Sequence, residues 1–110
     1  MLFRSQNFSA VAFPPTGWSV NNIDGATTWD RATISQGGGS GSLWMDNFNY
    51  QASGEIDEMV TPNFDLTTIS NPQMTFYLAY QLYTDPSLPT NFSDTLQILI
   101  STDCGATYTS

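Results

Sequence analysis

Histidine and lysine are absent from this 110-residue chain, and its only cations are Arg4 and Arg31. Nucleic-acid binding needs several cations lined up on phosphates, so two isolated arginines argue against that partner. Anionic membrane surfaces are disfavoured on the same ground. Cys104 is the single cysteine, which excludes a disulfide framework, a thiolate cluster and a CxxC pair. A nucleophilic thiol needs an activating base; with no histidine, Cys104 reads as a structural thiol in the Asp103-Cys104-Gly105 turn. No stretch approaches the ~18 apolar residues of a membrane span, so membrane insertion is not expected. Met1-Leu2-Phe3-Arg4 lacks the parts of a signal peptide; if the parent protein is secreted, its signal is expected upstream of this stretch.

Charged residues are also scarce, at 11%, while aromatics reach 14%. Disorder requires the opposite balance, so one folded domain over residues 1–110 is expected. Solubility then rests on Ser, Thr, Asn, Gln and Gly, a surface typical of secreted or cell-surface β-proteins. Ten acids leave a formal charge of −8. That excess suits a divalent cation such as calcium with its about six to eight oxygen ligands; the plain alternative is solubility.

The strongest periodic signals lie late in the chain. Leu96, Ile98 and Ile100 alternate with Thr95, Gln97 and Ser101, and Met74, Phe76, Leu78 and Tyr80 alternate with Thr75, Tyr77 and Ala79. This is the pattern of strands with one buried face. Earlier, Trp18 and Val20 alternate with Ser19 and Asn21. The cluster ending in Asp24-Gly25 reads as a hairpin turn, with the returning strand over residues 27–32. The glycine-rich run over residues 36–42 reads as a surface loop, without the context of a phosphate cradle. Residues 55–61 read as a strand stopped by Pro62. No helical period is present, and turn signals recur roughly every 8–12 residues, as in sandwiches and jelly rolls. The expected fold is an all-β antiparallel sandwich.

Three constellations bear on chemistry. Gly54-Glu55-Ile56-Asp57-Glu58-Met59 resembles the Glu-Ile-Asp-x-x-Glu signature of jelly-roll glycosidases such as laminarinases and lichenases. Retaining chemistry there needs two carboxylates roughly 5–5.5 Å apart. Glu55 and Asp57 share a strand face, but Met59 and Val60 stand where the third acid belongs, and Glu58 faces the other way. The expectation is therefore no catalysis. Second, Asp24, Asp46, Asp57 and Asp94 sit at or beside turns, where a sandwich gathers its loops. They are candidate calcium ligands, or ordinary turn aspartates bonding their own backbone. Third, of the aromatic set Trp18, Trp29, Trp44, Tyr50, Tyr77, Tyr80 and Tyr83, most are expected in the core. Tyr77 and Tyr83 are the candidates for exposed contact with a ligand such as a glycan.

Residues 13–18 (Phe-Pro-Pro-Thr-Gly-Trp), Asp24-Gly25 through Trp29, residues 39–47 (Gly-Ser-Gly-Ser-Leu-Trp-Met-Asp-Asn), residues 60–66 and residues 93–105 together resemble one family. It is the cleaved-adhesin or choice-of-anchor J module, related to MAM domains, of large secreted bacterial proteins. The resemblance implies a concanavalin A-like jelly roll, export often by the type IX route, and a non-catalytic adhesion or accessory role. Implied partners are a host or matrix protein or glycan, and neighbouring domains such as a peptidase. It also implies structural calcium at Asp24, Asp57 and Asp94, with Asp46 beside them. Asn7-Phe8-Ser9 departs from the family's Asn-Phe-Glu, removing one acidic ligand. The family module continues beyond the Cys104-Gly105 turn, so an incomplete jelly roll with an exposed edge is expected. The alternative is a carbohydrate-binding module, or a glycosidase remnant using Glu55 and Asp57.

Overall fold

A computed structural model describes residues 4–35, 39–50, 52–82, 86–87 and 93–110. Among these residues the regular structure is all β, with no helix and therefore none able to cross a membrane. Four strands occur in order: β1 (Ser19–Asn22), β2 (Asp30–Ala32), β3 (Ser42–Trp44) and β4 (Asp57–Val60). They form two antiparallel pairs, β1 with β4 and β2 with β3. The chain divides into two compact units, Met1–Leu78 and Ala79–Ser110, and all four strands lie in the first.

β1 begins where a turn releases it. The Trp18 amide donates to the Pro15 carbonyl at 2.9 Å, and Gly17 at that turn has φ +83°. A positive φ at the third turn position is what glycine supplies without a steric penalty. The register then runs Ser19↔Val60, Val20↔Met59, Asn21↔Glu58 and Asn22↔Asp57. Pro62 lies against Gly17, its Cγ 3.4 Å from where a Cβ would stand. Proline has no N–H to donate, so the ladder ends there. The strand predicted over residues 55–61 is thus present in its central part, with Pro62 as its stop.

The Asp24-Gly25 turn forms, but the expected hairpin does not. β1 pairs with β4, not with the strand that follows it. Residues 22–26 tie themselves into a knot of side-chain bonds. The Asn22 Nδ2 donates to the Ala26 carbonyl, while the Gly25 and Ala26 amides donate to Asn22 Oδ1 and Asp24 Oδ1 at 2.9 and 3.0 Å. The Trp29 indole then donates to the Asp57 carbonyl at 2.9 Å, which carries the chain past β4 before β2 starts. An Asp-Gly signal encodes a bend; it does not specify which strand lies beside β1.

β2 and β3 pair as Asp30↔Trp44, Arg31↔Leu43 and Ala32↔Ser42, flanking the glycine-rich stretch, whose residues 36–38 lie outside the described set. Arg31 braces this pair against the N-terminal segment. Its Nε donates to the Phe8 carbonyl at 2.5 Å, and its Nη2 to those of Ser9 and Ser40 at 3.2 and 3.3 Å. Gly41 is buried beneath them. A Cβ there would overlap the Phe8 carbonyl oxygen, so the residue must be glycine for the segment to close down. Phe8 meets Trp18 edge-on, 5.4 Å between ring centres and 69° between planes, a geometry contributing ~0.5–1.5 kcal/mol beyond area burial.

Among the described residues the apolar interior is half-buried throughout. Phe8, Phe13, Trp18, Val20, Trp29, Leu43, Met45, Met59 and Val60 are partly covered, and no large hydrophobic side chain is fully enclosed. Trp44 and Tyr80 are exposed, against the expectation that they are core.

The two late strand predictions are corrected. Residues 72–82 carry no ladder, and residues 93–109 contain only an isolated antiparallel bridge between Ile100 and Thr109. Both stripes are open to solvent: Phe76 is 56% exposed and Ile98 44%. Alternation supplies an apolar face, but a strand also needs a neighbour for its backbone groups. In the second unit the bridge closes a turn built on Asp103. That carboxylate accepts from the Thr107 amide and hydroxyl at 2.8 and 2.6 Å, and from the Ser101 hydroxyl at 2.8 Å.

Candidate functional site

A cluster of polar groups sits at the Asn22↔Asp57 end of the β1–β4 pair. Asp57 opens β4, and its carbonyl is taken by the Trp29 indole. Its Oδ1 is shut off from solvent and meets no partner, as is Thr28 Oγ1. Such oxygens are paired in the great majority of folded proteins. Across the sheet end, the Tyr50 hydroxyl donates to Asp24 Oδ2 at 2.7 Å. Three distant stretches, 22–29, 50 and 57, therefore converge on one corner.

The electrostatics follow from those bonds. The Ala26 amide, and after it the Tyr50 hydroxyl, hold the Asp24 carboxyl below its ordinary range. Tyr50 is pushed the other way, well above the usual phenol range. The Asp24 carboxylate bonded to it is the largest cause, followed by partial desolvation and the negative field of Asp24, Asp57 and Glu55. A phenol so placed stays protonated at neutral pH. It serves as a hydrogen-bond donor, not as a base or nucleophile.

Of the four aspartates expected as calcium ligands, Asp24 and Asp57 lie at this end of the β1–β4 pair. Asp46 bonds locally, accepting from the Asn49 amide and side chain at 3.3 and 2.7 Å. Asp94 lies in the unit Ala79–Ser110, where its amide donates to the Tyr80 hydroxyl at 3.0 Å. No three His, Cys, Asp or Glu side chains among the described residues are grouped as a metal site requires. The unpartnered Asp57 oxygen is the observation that bears on a cation at this end of the sheet.

Glu55 precedes β4 and is exposed, and Glu58 accepts from the Asn21 side chain across the sheet at 2.6 Å. The latter is a cross-strand support on the face opposite Asp57. Tyr77 is 81% exposed, but Phe76 and Leu78 beside it are exposed as well, so facing does not set it apart. Tyr83 lies outside the described residues. Cys104 is exposed at φ +60° in its turn, with Gly105 next at +89°.

One participant, Tyr50, is not marked by its local sequence. Tyr50 was placed with the core aromatics, and nothing local to it points to Asp24, 26 residues away. Asn22, by contrast, was legible: an Asn two residues before Asp-Gly is the composition of a side-chain-locked turn. Comparison with family models, with curated proteins and with solved structures finds no match to this chain.

Proposed function

We propose that this chain is a non-catalytic adhesion or accessory module of the concanavalin A-like jelly-roll type, of the cleaved-adhesin kind, in a larger secreted or cell-surface bacterial protein. The observation that carries the reading is the nested pairing, β2 with β3 inside β1 with β4. A jelly roll winds its strands this way, as a long hairpin folded over. The ordered motifs from Phe13 to Gly105 and the lysine-free acidic composition point the same way. Its partners are a host or matrix protein or glycan, together with neighbouring domains of the parent chain.

The test is to assay the purified chain for retention on immobilised matrix proteins and glycans, and for β-glucan hydrolysis. Retention without hydrolysis is expected. Hydrolysis abolished by Glu55→Gln would overturn the proposal in favour of a glycosidase. If the ligand is a glycan held by Tyr77, Tyr77→Ala lowers glycan retention, and unchanged retention returns the choice to protein.

Calcium belongs to the same proposal, with Asp24 and Asp57 as its carboxylate ligands and neighbouring carbonyls completing the shell. An ion held only by the folded state raises the unfolding midpoint. Chelator should therefore lower the midpoint of the parent chain and leave that of Asp57→Asn unchanged. An identical curve for the parent with and without chelator removes the ion from the account.

A further inference from the structure

We draw no further inference here: the strongest candidate, the exposed apolar stripe formed by Met74, Phe76, Leu78 and Tyr80 with its counterpart at Leu96, Ile98 and Ile100, carries nothing because nothing in the structure shows what covers it.

Discussion

Replacing Gly41 by alanine isolates the packing of the N-terminal segment on the β2–β3 pair. Gly41 does not lie in the left-handed region, so alanine meets no backbone penalty there. The new methyl would instead overlap the Phe8 carbonyl oxygen and stand 2.9 and 3.0 Å from Arg31 Nε and Nη2. The oxygen belongs to the backbone of Phe8, itself held at φ +52°, where a bulky side chain is rarely found. Its ring is fixed by Trp18, and its amide donates to Gln6 Oε1. Forcing a methyl into such a contact costs about 1–3 kcal/mol. Arg31 recovers part of its lost bonding from water, so we expect a net loss near 2 kcal/mol. For a chain of this size that corresponds to a drop in Tm on the order of 10 °C.

Thermal unfolding followed by tryptophan fluorescence measures that drop, and proton NMR contacts between the Phe8 and Trp18 rings report whether the segment has lifted. Gly25→Ala is the contrasting variant. No atom lies within 4 Å of its new methyl, yet φ is +70°, so it loses about 1–2 kcal/mol through backbone strain while the ring contacts persist. A Gly41→Ala protein with parental Tm and intact Phe8–Trp18 contacts would refute the close approach.

Arg31→Lys should destabilise the same corner, because a point ammonium cannot serve the Phe8, Ser9 and Ser40 carbonyls in the fixed fork that guanidinium offers; the same ring contacts weaken, and a variant indistinguishable from the parent argues against the brace. Tyr50→Phe should remove a step that lies above the ordinary phenol range in an ultraviolet titration, since the Asp24 carboxylate raises that phenol; a titration that keeps that step places the raised phenol elsewhere. Asp103 is held from 3.8 down to about 2 by Thr107 and Ser101. A depressed folded value means its contribution is complete above about 3.8 and lost as pH falls toward 2. Amide exchange at Thr107 should therefore quicken across that window, and Asp103→Asn should abolish the dependence.

The periodic stretches illustrate what could not be read in advance. Residues 57–60 and 96–100 both looked like strands, and only the first has a ladder. The difference does not lie in their own composition, since 96–100 is the more strongly β-forming. It lies in whether another segment arrives in register to take the backbone bonds. The same holds for the acids: Asp24 and Asp46 are alike as turn aspartates, yet Asp46 bonds within its own turn while Asp24 takes the Tyr50 hydroxyl from 26 residues away.

From its residues alone the chain specifies an all-β character, the bends at Gly17 and Asp24-Gly25, the end of β4 at Pro62 and the Asp103 turn. Each depends on atoms a few positions apart, where bond geometry and side-chain reach suffice. The tertiary structure alone decides that β1 lies beside β4, that Tyr50 meets Asp24, and that Arg31 clasps Phe8, Ser9 and Ser40. Those choices close loops of tens of residues, and their outcome depends on competing segments that carry nearly the same local signal.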